Sequence, residues 1–117
     1  MVTASGAYAG GVIAPGIGIS AEALFARAAR LKKVEIKRPE RVVGKNTADC
    51  IRSGIYWGFT GLVDGVLKRM LTEVGGVKRV VSTGGLAGLV AAESRYIEEV
   101  DELLTLKGIK LLYERAL

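Results

Sequence analysis

No histidine occurs among the 117 residues, and cysteine occurs once, as Cys50. The missing imidazole removes the commonest general base and, with a single thiol, leaves no side-chain set for a zinc centre. One cysteine excludes an internal disulfide and fits a reducing compartment, so the expected location is the cytoplasm. Two prolines against sixteen glycines point to tight turns and close backbone approaches rather than a low-complexity linker. The sequence has no run of about 18 uncharged apolar residues, so no membrane-spanning helix is expected. The opening stretch, MVTASGAYAGGVIAP, lacks the basic start and long apolar run of a secretory leader.

What remains is the profile of a packed domain, or a piece of one: 50% apolar and 25% charged residues. The net charge is +5, and much of the excess lies in RAARLKKVEIKRPERVVGK, from Arg27 to Lys45. A nucleic-acid surface wants aromatics interleaved with such cations. This stretch has none, and Glu35 and Glu40 interrupt it. A solvated helix end and loop is the better account, and no nucleic-acid partner is expected.

The pattern of apolar and turn residues predicts α/β layers. A hairpin opens the chain, with Val2 and Thr3 outgoing, a turn at Ser5-Gly6 and a return from Tyr8 to Ala14. After Pro15-Gly16, Ser20 is placed to cap a helix running through Leu31, with Leu24, Ala28 and Leu31 at helical spacing and Arg27 and Arg30 outward. A short strand is expected at 34–36, then a long helix from Asn46 or Thr47 to about Glu73. Residues 77–82 have the β-branched content of a buried parallel strand. A short helix around 86–91, a strand at 96–99 and a closing helix over 104–116 complete the order, the last turning Leu106, Ile109, Leu112 and Tyr113 inward.

The long helix carries Gly54, Gly58, Gly61 and Gly65, spaced four, three and four apart. At about 100° per residue they share one stripe. Each costs up to about 1 kcal/mol relative to alanine in a helix interior, so close approach of another backbone is expected there. Beside the stripe lies an apolar arc (Ile51, Ile55, Phe59, Leu62, Val63, Val66, Met70) suited to burial on the domain's own sheet. The glycine flank then meets either another helix of the same chain or a second subunit. Arg52, Asp64, Lys68 and Arg69 exclude a membrane GxxxG pair.

Three glycine-containing stretches invite comparison with phosphate loops. GIGISA (Gly16 to Ala21) matches a short dinucleotide fingerprint, but it follows a hairpin exit and no acidic strand end stands about 20 residues on; a turn feeding a capped helix explains it. GKNT (Gly44 to Thr47) fails as a P-loop, since Pro39 occupies the first glycine position, and suits a helix N-cap instead. STGGLAG, from Ser82, follows a strand and could let a nucleotide lie against backbone. The carboxylates of ESRYIEEVDEL are expected to be solvated, Asp64 to make a structural hydrogen bond, and Cys50 to be near Lys45 and Arg52 without a histidine partner. Spacing alone identifies no catalytic residue and no metal site.

Taken together, GGVIAPGIGISAEALFARAARL, GKNTADCIRSGIYWGFTGLVDG, VVSTGGLA and LTLKGIKLLYERA resemble the C-terminal lobe of type III pantothenate kinases, in order and over nearly the whole chain. Ser82 and Glu102 are small departures, standing where alanine and proline are common. The resemblance implies a single ribonuclease-H-like lobe of the acetate and sugar kinase, Hsp70 and actin superfamily: a mixed sheet with helices packed on it, its first strand truncated, spanning residues 1–117. It implies transfer of the ATP γ-phosphate to pantothenate in coenzyme A biosynthesis by a homodimer that uses magnesium and a monovalent cation, potassium or ammonium. Matched by motif, Thr83, Gly84 and Gly85 form the adenosine-side loop, Thr47 contacts pantothenate, and Gly54, Gly58, Gly61 and Gly65 lie near the dimer contact.

The resemblance also implies an absence. The family's phosphate loops, general-base aspartate and pantothenate-gripping arginine belong to an N-terminal lobe and to a segment that would precede Met1. No residue here matches them, so the chain is expected to be inactive alone, with no metal site of its own. The alternative is a non-catalytic, self-associating interaction domain with no tight ligand.

Overall fold

A computed structural model describes residues 1–28, 30 and 33–117. It divides into two compact units, Met1–Lys33 and Val34–Leu117.

The first unit opens as the expected hairpin, though a short one. One antiparallel bridge joins Val2 and Tyr8, and the amide of Gly6 donates to the Thr3 carbonyl to close the turn. The Thr3 hydroxyl accepts from the Ala7 amide at 3.0 Å, and the Met1 ammonium donates to the Gly10 carbonyl at 2.6 Å. Beyond Gly10 the returning segment has no strand pairing. The first helix, α1 (Ile17–Arg27), begins earlier than the Ser20 cap predicted: Gly16 is its N-cap, without a side-chain bond. Ser20 instead donates its amide to the Gly16 carbonyl from inside the first turn. Its buried positions are Ile17 and Ala21, while Leu24, expected inward, is exposed; the expected end at Leu31 lies outside the described residues.

The second unit is built on α2 (Thr47–Val74). Asn46 caps it by accepting the Asp49 amide at 2.9 Å, as GKNT suggested. Gly75, with φ of 65°, ends it. The strand expected at 34–36 is not formed. The sheet among the described residues consists of β1 (Val81–Ser82) and β2 (Glu99–Val100), paired parallel with Val81 opposite Glu99 and Ser82 opposite Val100. Between them runs α3 (Ala87–Ala91), and α4 (Leu104–Ala116) closes the chain.

Two expectations about burial are overturned. The strand after residue 77 is reduced to two residues and Val81 is 39% exposed; a sheet of two such short strands offers too little face to bury its side chains. The α4 residues Leu106, Ile109, Leu112 and Tyr113 face outward, and no residue of α4 is buried. Their amphipathic spacing is real, but no described element packs on that face.

The core of this unit also uses a different face of α2 from the one the apolar arc suggested. Ser53, Tyr56 and Thr60 are buried, with Ile51 separate from them, whereas Leu62 is 39% exposed. Ser53, Tyr56, Thr60 and Asp64 follow helical spacing and turn their polar atoms to specific partners. The Ser53 hydroxyl donates to the Val42 carbonyl, Tyr56 to the Leu89 carbonyl at 3.4 Å, and Thr60 to the Tyr56 carbonyl at 2.9 Å. Asp64 accepts from the Ser94 hydroxyl at 2.5 Å and from the Arg95 amide at 3.0 Å. Buried polar groups keep their stability only when bonded in this way, so this stripe ties α2 to the loop before it and to the segments around α3.

Candidate functional site

The glycine loop leaves β1 and turns into α3. Thr83, Gly84 and Gly85 are all exposed. Gly84 has φ of +103°, a conformation that strains any other L-residue, and its carbonyl accepts the Ala87 amide at 3.1 Å. An added Cβ at Gly84 or Gly85 would meet nothing within 4 Å. The bend is therefore open backbone that a flat ligand can approach.

Two strand contacts fix where this loop begins. Glu98 and Glu99 donate their amides to the Val80 carbonyl, and Asp101 donates its amide to the Ser82 carbonyl. Glu99 and Glu102 of ESRYIEEVDEL are exposed, as expected of a solvated run, yet several of its carboxylates also take specific partners. Glu98 accepts the Val80 amide at 3.2 Å, Glu99 pairs with Arg79 at 2.8 Å, and Glu93 pairs with Arg38 at 2.5 Å. Asp101 bonds Lys107 at 2.7 Å and accepts the Leu103 amide at 3.1 Å. The bond from Lys107 first, then that from the Leu103 amide, hold the Asp101 carboxyl below its ordinary range. A depressed carboxylate contributes stability above its unfolded pKa, and that contribution is lost as pH falls through the folded value. Asp64, as expected, makes structural hydrogen bonds.

Thr47 stands exposed as the first residue of α2. No hydrogen bond among the described residues joins it to Thr83, Gly84 or Gly85; the two segments are linked through α2 and its bonds to Leu89 and Ser94. The loop before Thr47 is held tightly. A Cβ at Gly44 would lie 2.5 Å from the Cys50 amide nitrogen and 2.7 Å from the Asp49 carbonyl carbon. Cys50 is exposed and its thiol donates to the Gly44 carbonyl at 3.5 Å.

The glycine stripe is open. Added Cβ atoms at Gly54, Gly58 and Gly61 meet nothing within 4 Å, and Gly65 has only the Arg69 guanidinium of its own helix at 3.6 Å. The close approach those glycines permit is not used within the described unit.

Sequence reasoning missed one cluster. Arg38, paired with Glu93, sits 5.6 Å over the Trp57 ring, and Trp57 meets Tyr56 edge to face at 5.0 Å. Hydrogen bonding and charge from Glu93 raise the Arg38 pKa further, and burial, then Glu93, push the Tyr56 phenol above its usual value. The spacing of Tyr56 from Ser53 and Thr60 was the available signal; the partners 55 residues apart in sequence were not visible. Among the described residues no group of three or more Cys, Asp or Glu side chains could hold a metal ion, and no helix is long and apolar enough to cross a membrane.

Comparison with known proteins decides the lineage of this arrangement. A family model described as type III pantothenate kinase matches residues 1–69, over half of the chain and including Thr47 and the glycine stripe. The chain belongs to the type III pantothenate kinase family. It is 58% identical over 115 residues to a type III pantothenate kinase of Koribacter versatilis (strain Ellin345), covering 98% of this chain and 42% of the relative. Type III pantothenate kinases of Acidobacterium capsulatum and Moorella thermoacetica are each 54% identical over 114 residues, which cover 97% of this chain and 42% and 45% of those relatives. An aligned span of that length includes the Thr83 loop. The chain thus spans less than half the length of these curated relatives.

Proposed function

We propose that this chain is the C-terminal lobe of a pantothenate kinase, with a ribonuclease-H-like layout once completed, and that it contributes to transfer of the ATP γ-phosphate to pantothenate in the cytoplasm. In this reading the backbone of Thr83, Gly84 and Gly85 takes the adenosine side of ATP and Thr47 contacts pantothenate. The observation that carries it is the open, positive-φ bend after β1 in a chain of this family. The space beside Gly84 and Gly85 supports a nucleotide lying against that backbone. In this reading the ligands of magnesium and the monovalent cation, the general base and the phosphate-gripping groups would come from protein outside these 117 residues. Phosphoryl transfer rests on such positioning and charge stabilisation, so the chain alone binds without turning over.

Calorimetry with ATP and magnesium tests this. Saturable heat is expected from the chain and at least tenfold weaker binding, about 1.4 kcal/mol, from Gly85→Val. An added Cβ there meets nothing within 4 Å in the protein, so the substitution is expected to act on the ligand's approach. Absence of heat with the unaltered chain would refute the nucleotide loop and favour a non-catalytic interaction domain.

Self-association is the second part of the proposal. Gly54, Gly58, Gly61 and Gly65 form the close-contact stripe of a homodimer, which accounts for four glycines in one helix whose added side chains would find no neighbour in their own unit apart from Arg69. Gly58→Leu is therefore expected to leave the monomer folded while sedimentation shifts toward monomer. An unchanged dimer would remove the stripe from the contact.

A further inference from the structure

A second site emerges from the basic stretch, beside Thr47 but lined by side chains to which the kinase reading gives no role. The loop 37–45 and the first turns of α2 enclose a cleft of about 440 Å³, within the range of small-ligand sites. Five cations line it, Lys37, Arg38, Arg41, Lys45 and Arg52, against Glu40 and Asp49. Three of the cations are engaged. Arg38 pairs with Glu93 at 2.5 Å, Arg52 with Asp49 at 2.8 Å, and Lys37 with Glu35 at 3.7 Å. Arg41 and Lys45 have no ion-pair partner among the described residues.

The walls are held in place. Ser53 bonds the Val42 carbonyl, Arg52 donates to the Glu35 carbonyl at 3.1 Å, and the Gly44 backbone lies against Cys50 too closely to admit a side chain. Two unengaged cations on a fixed loop match a compact dianion. A guanidinium offers five N–H donors and an ammonium three, more than one carboxylate can accept, whereas a phosphomonoester presents three terminal oxygens and nearly two charges near neutral pH. Glu40 and Asp49, and the lack of any aromatic lining residue, disfavour a long polyanion such as nucleic acid.

We propose that this cleft binds the phosphate group of a small molecule, with Arg41 and Lys45 as its ligands. The site is independent of the glycine loop, so Gly85→Val leaves it unchanged.

Trp57 is the single tryptophan, and Arg38 bridges it to the cleft, so indole emission reports occupancy. The 117-residue chain is titrated with glycerol 3-phosphate and, separately, with inorganic phosphate, at ionic strength held constant with potassium chloride. Phosphorus NMR line broadening follows the same samples. Saturable binding is expected, weakened at least tenfold in the Arg41→Gln/Lys45→Gln double variant. Tighter binding of glycerol 3-phosphate identifies an ester as the ligand, and equal binding identifies the free ion. A linear response matched by chloride alone, no response by either method, or an unchanged affinity in the double variant overturns the proposal.

Discussion

Gly44→Ala is expected to destabilise the chain by about 3 kcal/mol, the upper end of ordinary overpacking costs, and to lower its melting temperature by roughly 10 °C or more. The cause is contact, not conformation. The added carbon would lie 2.5 Å from the Cys50 amide nitrogen and 2.9 Å from the Cys50 Cα. These are backbone atoms within a 28-residue helix, so neither can swing aside as a flexible side chain would. Relief requires the 42–45 loop to lift from α2, which would strain the Ser53 bond to the Val42 carbonyl and leave a buried hydroxyl unsatisfied. Gly108→Ala is the control with opposite sign. Gly108 lies inside α4 with open space around its ideal Cβ, so alanine there should stabilise by up to about 1 kcal/mol through helix propensity. Equal melting temperatures for Gly44→Ala and the unaltered chain would show that the loop does not rest on the helix.

Tyr56→Ala should be at least as damaging, at about 3–5 kcal/mol, the range for truncating a buried aromatic. Tyr56 is 1% exposed and is the largest fully buried side chain among the described residues. Its loss removes the edge-to-face contact with Trp57 and opens a cavity between α2 and α3. Tyr56→Phe separates packing from polarity. Its hydroxyl bond to Leu89 is long, at 3.4 Å, so deleting it should cost under about 1 kcal/mol.

The pH dependence gives Tyr56→Phe a distinct signature. Burial, with Glu93 adding to it, raises the Tyr56 phenol above 10.0. Between the unfolded and folded pKa values the unfolded chain has lost a proton that the native chain retains. Stability therefore falls as pH rises past about 10. Urea midpoints measured from pH 8 upward should show that decline in the unaltered chain and a shallower one in Tyr56→Phe. Parallel curves would assign the alkaline loss to other groups.

These two residues mark where sequence legibility ended. Asn46, the end of the long helix near Glu73 and the 104–116 segment were readable because capping, termination and amphipathic period are local properties carried within a few neighbours. The turn at Ser5-Gly6 was readable for the same reason. Ser20 misled because Gly16 could cap without a side chain, leaving the hydroxyl residue inside the helix. The apolar arc of α2 misled because hydrophobic spacing marks a face that can be buried but does not say against what.

By itself, the sequence determined the lineage, the main helices and the absence of histidine chemistry, since each follows from residue identity and short-range spacing. Only the tertiary structure decided that α2 turns Ser53, Tyr56, Thr60 and Asp64 inward, that Gly44 admits no side chain, and that Arg38 reaches Trp57 and Glu93. Those facts depend on which distant backbone and charge each side chain meets, and packing partners are fixed by the folded geometry rather than by any local pattern.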